Sequence, residues 1–328
     1  MLKERQAQDA PKRKKSWFRR NGLTLILVLA LLTGIGLLLY PTASNWWNQR
    51  NQSKVVMQYA AAISDMDEAQ YDQMLSDAES YNQKLAETGA LWNMNSDEEE
   101  EYNSLLNIDG AGVMGYIRIP KINVELPIYH GTDDSVLQTS IGHLAGTSLP
   151  VGGESTHTVL SGHRGLPSAK LFTDLDRLTE GDTFTITVLN RTLTYQVDQI
   201  RIVEPTDLSD LQIEEGQDLC TLVTCTPYGI NTHRLLVRGH RVPNANGDAQ
   251  VIAEALQVQP SYIALIVVIV VMIILVAYAF SHERHRRRSF EYETTYLEKR
   301  GLKRPSIDID DEDTQSLLDQ IRDYLKKR

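Results

Sequence analysis

The sequence reads as a mainly β domain, a barrel or sandwich of short strands, set behind a helical segment and between two membrane-spanning helices. Three observations predict this. Two uncharged apolar runs occupy 23–40 and 262–280. Between 46 and 88 apolar residues recur every three or four positions, the spacing of one helix face. From 113 to 242 the period falls to two, in short runs punctuated by Gly, Pro, Asp and Asn, which is the pattern of all-β folds.

A hydrocarbon core about 30 Å thick needs roughly 20 helical residues, with a lower limit near 17. Both apolar runs reach that length, and a helix satisfies their backbones in lipid. The first run is longer than the apolar stretch of about 7–15 residues in a typical secretory signal. The small residues between Pro41 and Ser44 leave cleavage open as the alternative to an anchor. Residues 1–22 carry 8 Lys and Arg against 2 Asp and Glu, net +6. Arg284, Arg286, Arg287 and Arg288 follow the second run. By the positive-inside rule both termini are expected in the cytoplasm and 41–260 outside.

That central stretch is acidic, with 13 basic and 30 acidic residues, net −17. Phosphate binding needs clustered Lys and Arg, so no nucleic-acid partner is expected. The whole chain of 328 residues, 42% hydrophobic and 23% charged, excludes a disordered or collagen-like protein. Its two cysteines exclude a disulfide framework.

Within the central stretch, Val55, Tyr59, Ile63 and Met66 form one helical set. Tyr71, Met74, Ala78, Tyr81 and Leu85 form another. Ser64 and Asp67 offer a break and a new N-cap, so 46–88 is expected to be two helices folded as a hairpin. Residues 89–112 contain Trp92, the acidic run Asp97 to Glu101 and no periodicity. A long segment of this kind is expected to be a loop serving as a lid or binding segment. The β domain spans 113–243, with strands at Tyr116 to Ile119, THTVLS, Phe184 to Val188, Leu193 to Val197, LCTLVT and RLLVRG. Closure into a barrel removes exposed edges. A polar linker (244–261) leads to the second span, and a charged cytoplasmic tail (281–328) follows it.

The chemistry centres on TLVTCTPYG, residues 221–229. Thr221, Val223 and Cys225 share one strand parity; Cys220, Leu222 and Thr224 share the other. Pro227 cannot join a central ladder, so the strand is expected to end near Cys225. Cys225 then stands at a strand mouth as a candidate nucleophile, and Cys220 is filler inside the strand. Extended chain holds the two too far apart for a disulfide. Arg234 opens the next run, where an antiparallel neighbour sets it beside Cys225. It is either a partner for a thiolate or oxyanion or a surface arginine at a strand start. His163, on the turn SGHRG, is the leading acid/base candidate, with His130, His143, His157, His233 and His240 also in the β region. Metal binding would need three or four ligands in a compact pattern; the histidines are scattered, so no metal and no cofactor is expected.

Three segments carry a family likeness: MGYIRIPKINVELPIYHGT (114–132), GHLAGTSLPVGGESTHTVLSGHRGLPSAKLF (142–172) and TLVTCTPYGINTHRLLVRGHR (221–241). Together they resemble a sortase, and the second span with its tail resembles class C, the pilin-polymerising sortases of Gram-positive bacteria. The resemblance implies a closed sortase-type barrel of about eight strands. It implies Cys225 as nucleophile, His163 as general acid/base and Arg234 as substrate and oxyanion partner. It further implies cleavage of an LPxTG-like sorting signal between Thr and Gly, transfer to a pilin lysine amine, and pilin subunits or surface proteins as partners at the membrane. Trp92, Thr224 and Tyr228 are the candidate substrate-binding or lid residues. The departure is in the lid: no Asp-Pro dipeptide occurs, and LWNMNSD (91–97) takes its place. The alternatives are a housekeeping sortase acting on a cell-wall precursor and a non-enzymatic membrane scaffold with an inactive barrel.

Overall fold

The computed structural model describes residues 17–108 and 110–244, with 272, 281 and 299 as isolated positions. Residues 1–16 lie outside the described residues, as do the expected second span, linker and tail apart from those positions. The chain divides into two units, one made of Met1–Leu37 with Leu256–Arg328 and the other of Leu38–Ala255.

The first helix, α1 (Trp17–Ser64), crosses that division. Its part from Ile26 is long and apolar enough to cross a membrane, with a stretch of mean hydropathy 2.1 and none of it buried. This fits a membrane anchor or a secretory signal. The sequence predicts a span ending at 40 and a separate helix from 46; instead one helix runs through Pro41. A proline inside a helix removes one hydrogen bond and crowds one carbonyl, at a cost of about 3 kcal/mol. That cost is local, and the turns on both sides continue.

In the second unit eight strands close into a barrel. They are β1 (Val113–Ile119), β2 (Val124–His130), β3 (Ile141–His143), β4 (Thr156–Gly162), β5 (Thr183–Val188), β6 (Arg191–Val203), β7 (Asp218–Thr226) and β8 (His233–Val242). Their order is β1-β2-β3-β4-β7-β8-β6-β5, with β5 returning to β1. Two neighbours run parallel, β2 with β3 and β4 with β7. The parallel β4–β7 pair is what the site depends on.

The alternation in the sequence becomes two faces. Ile117 and Ile119, Phe184 and Ile186, Tyr195 and Val197, Cys220 and Leu222, and Val237 are buried in the main core. Phe184 and Tyr195 stack with centroids 5.6 Å apart. Gly239 leaves room for them, since a Cβ there would lie 2.9 Å from the Phe184 ring.

The helices pack by the stripes the sequence displays. On α1, Val56 and Tyr59 are buried, and the Tyr59 hydroxyl donates to the Met114 carbonyl (2.9 Å) and accepts from the Leu189 amide (2.8 Å). Asp67 caps α2 (Glu68–Thr88), accepting from the Gln70 amide. Leu75, Ala78, Tyr81 and Leu85 of α2 are buried, and Asn82 exchanges two hydrogen bonds with the Leu149 backbone.

The segment 89–112, expected to be a loop, contains α3 (Ser96–Ser104). Asn95 and Glu98 form a capping box, and Asp97, Glu98 and Glu99 lie in the first turn, where carboxylates favour the positive end of the helix. Tyr102 is the one buried residue of this helix, so no apolar period marks it in the sequence. A four-residue helical turn, α4 (Asp134–Leu137), precedes β3.

Candidate active site

Strand parity separates two surfaces on the wall made by β4, β7 and β8. Cys220, Leu222 and Thr224 face the interior, with 0%, 0% and 2% exposure. Thr221, Val223 and Cys225 face outward. Opposite them on β8, Arg238 pairs with Thr221, Leu236 with Val223 and Arg234 with Cys225. Residues directly opposed in an antiparallel pair put their side chains on the same face. Cys225 and Arg234 therefore share the outer face at adjacent positions.

The third candidate arrives through β4. Its parallel register with β7 ends at Ser161 opposite Val223. Two residues further along each chain stand His163, just past the end of β4, and Cys225, near the end of β7. Two hydrogen bonds fasten the chains there. The Thr224 hydroxyl donates to the Gly162 carbonyl (2.7 Å), and Arg164 Nη1 donates to the Thr226 hydroxyl (3.2 Å). His163 and Cys225 lie between these ties, and both are half-buried.

The two cysteines differ by environment. Both are free thiols. Cys220 is fully enclosed, and burial, then the Asp218 carboxylate, push its thiol well above the ordinary range, so it stays protonated and inert. Cys225 is half-buried and open to reagents.

The histidines sort in the same way. His143 is fully buried, its Nδ1 3.0 Å from the Tyr102 hydroxyl and its Nε2 2.8 Å from the Ser148 carbonyl. Burial lowers its pKa to about 4. His157 meets the Gln212 carbonyl through Nδ1 (2.7 Å) and the Thr221 hydroxyl through Nε2 (2.8 Å), and burial lowers its pKa too. His130 spans the Gly112 and Leu105 carbonyls. These rings serve packing. The His163 ring makes no hydrogen bond to another described residue, and its place is one residue past the end of β4, on the strand that neighbours β7.

Arg234 is half-buried, its Nη1 3.2 Å from the His233 carbonyl. Thr224, a candidate for substrate contact, is buried on the interior face with its hydroxyl on Gly162. Its place is to hold strand to strand, because parity turns it away from Cys225. Tyr228 is 60% exposed in the loop after β7. Its ring lies over the turn following His163, where a Cβ on Gly165 would come within 3.1 Å of it.

Trp92 reaches the outer face. It packs with Leu144, Val203, Leu208 and Val223 against Val159, Leu211 and Leu236, and Val223 and Leu236 are the pair next to Cys225 and Arg234. The Leu91 amide donates to the Gly146 carbonyl (2.8 Å), pinning this stretch. Asp97 is exposed in the first turn of α3. Sequence reasoning missed Arg164 and Thr226, whose contact crosses 62 positions, and the residues of the β6–β7 loop that cover the outer face. Among the described residues no cluster of His, Cys, Asp and Glu could hold a metal ion.

A half-buried thiol, an imidazole and a guanidinium near one end of β4, β7 and β8 are groups of the kind that acyl transfer uses. Comparison with known proteins agrees. Residues 117–242 match the model of the sortase domain. The chain is 61% identical to the crystal structure of sortase C1 from Streptococcus agalactiae, with a TM-score of 0.58, covering 58% of this chain and 99% of that one. It is 44% identical to Streptococcus pneumoniae sortase C, described with regard to pilin substrate specificity (TM-score 0.53; 58% and 97% covered). It is 43% identical to Clostridium perfringens sortase C, solved with the C-terminal cell wall sorting motif (TM-score 0.53; 58% and 100% covered). The chain belongs to the sortase family of cysteine transpeptidases, and within it to class C.

Proposed function

We propose that this sortase cleaves an LPxTG-like sorting signal between Thr and Gly and joins the threonyl carbonyl to a lysine amine of a pilin subunit. The observation that carries the reading is the register: Cys225 stands opposite Arg234 across β7–β8, and His163 and Cys225 each follow by two residues the last β4–β7 pair, Ser161 with Val223. The similar sortase described for pilin specificity, and the one solved with a sorting motif, support the substrate class.

The steps follow from the groups. The Cys225 sulfur attacks the Thr carbonyl carbon, forming a C–S bond and a tetrahedral oxyanion. Arg234, the nearest cation on that face, steadies the oxyanion. The C–N bond breaks, and the Gly amine leaves with a proton from His163. The lysine amine then attacks the thioacyl carbon, gives a proton to His163, and expels the thiolate. One difficult amide exchange becomes two easier steps, and no cofactor enters. Trp92 and Tyr228 border the groove in which the peptide lies.

The domain plan belongs to the same proposal. The basic segment 1–22 and the tail 281–328 are cytoplasmic, 23–40 and 262–280 span the membrane, and the region between is extracellular. Two tethers keep the enzyme where membrane-retained substrates emerge, raising their effective concentration.

The test is the full-length chain in detergent with a pilin and a sorting-signal peptide. The expected result is covalent pilin ladders and a thioacyl adduct on Cys225, both absent in Cys225→Ala at unchanged thermal stability. Single anchored products without ladders would point to the housekeeping role. An adduct persisting in Cys225→Ala would refute the assignment.

A further inference from the structure

His163 lies one residue beyond the end of β4, where ladder hydrogen bonds no longer fix the chain. Something else must set its height against Cys225. The next residue, Arg164, has a side chain only 9% exposed. One arm of its guanidinium pairs with Asp176, in the 3₁₀ turn Leu175–Arg177. The other arm donates to the Thr226 hydroxyl at 3.2 Å. Its Nε–H is buried without a partner.

A buried guanidinium with an unsatisfied donor is a poor way to stabilise a fold. What this one achieves is a brace between three segments: the turn carrying His163, the 3₁₀ turn, and the end of β7 carrying Cys225. Together with the Thr224 to Gly162 bond, the residues on both sides of His163 are fastened to the residues on both sides of Cys225. Arginine suits this task, since its planar fork holds two acceptors in fixed directions, whereas lysine offers a single point charge.

We propose that Arg164 is a positioning residue that, through Asp176 and Thr226, holds the His163 imidazole in register with the Cys225 thiol. The proposal rests on the reading of Cys225 and His163 as the reacting pair. A small misplacement of reacting groups lowers turnover strongly, by up to about 100-fold for 1 Å. The brace therefore acts on the chemical step and leaves peptide binding largely alone.

The experiment uses the full-length chain in detergent, with a fluorogenic LPxTG-type peptide and with iodoacetamide as a probe of Cys225. Arg164→Met is expected to lower kcat about 10–100-fold with KM within about twofold. Arg164→Lys is expected to restore little of it. The pH profile of alkylation in wild type is expected to differ from that of His163→Ala, and Arg164→Met is expected to move toward the latter. Wild-type kcat and pH profile in Arg164→Met would overturn the proposal. So would a fall in kcat with an unmoved profile and a lowered melting temperature, the signature of a merely structural role. Should Arg164→Met fail to fold, Thr226→Val decides, since it leaves the Asp176 pairing intact: a lower kcat with a shifted profile supports the brace, and wild-type behaviour refutes it. If His163→Ala matches the wild-type profile, the pairing of His163 with Cys225 fails first, and the brace fails with it.

Discussion

Cys220 and Cys225 lie on one strand, five residues apart, and face opposite worlds. Cys220 points into the barrel with 0% exposure, among Leu222, Tyr195 and other core residues. Cys225 points outward at the strand's end, opposite an arginine. The same atoms give filler in one place and a candidate nucleophile in the other. Strand parity and the strand's end make the difference. The histidines repeat it: His143 is enclosed and doubly engaged, whereas His163 is half-buried with its ring available.

The largest effect that could break this contrast is thiol reactivity. In the folded chain iodoacetamide is expected to modify Cys225 at least ~1,000-fold faster than Cys220, because enclosure and a protonated thiol both protect the latter. Peptide mapping of the alkylated sites measures it, and comparable rates would end the distinction. A smaller effect concerns stability in acid. The His143 pKa falls from 6.5 to about 4 on folding. The unfolded chain therefore takes up a proton below pH 6.5 that the folded chain refuses until about pH 4. Stability present above 6.5 is lost as the pH drops through that window, by ~3 kcal/mol at most. His157 acts in the same direction. Denaturant midpoints at pH 7 and pH 5 are expected to lie closer together in His143→Gln than in wild type; an equal gap would mean that His143 is not the group responsible. The smallest effect sharpens the outer face. Trp92→Ala is expected to speed alkylation of Cys225 by about 2–10-fold, as an aromatic side chain leaves the apolar cluster beside it. No change would show that Trp92 does not screen the site.

Much of this was legible in the sequence because it is local. Alternation at Phe184 to Val188 and Leu193 to Val197 marks strands, and the parity of TLVTC separates the cysteines before any coordinates. Pro227 fixes the strand's end to within a residue, since β7 stops at Thr226. Family likeness supplied strand number and closure, which periodicity alone could not. What remained hidden is non-local or lacks a period. Helix α3 buries only Tyr102 and is held by capping, so its residues look like solvated loop. The first apolar run ends at Tyr40, yet α1 continues through Pro41 to Ser64. Thr224 sits beside Cys225 in sequence, but it turns inward. The Arg164 brace joins residues 62 positions apart, and no spacing rule announces it.

The parallel pairing of β4 with β7 has a further consequence. Parallel neighbours need a crossover, and here the intervening chain supplies β5 and β6, which themselves border β8 and β1. The segment carrying His163 and the strand end carrying Cys225 therefore come side by side only after that excursion has folded back. A chain that has not yet completed the excursion carries the Cys225 thiol without the His163 segment beside it.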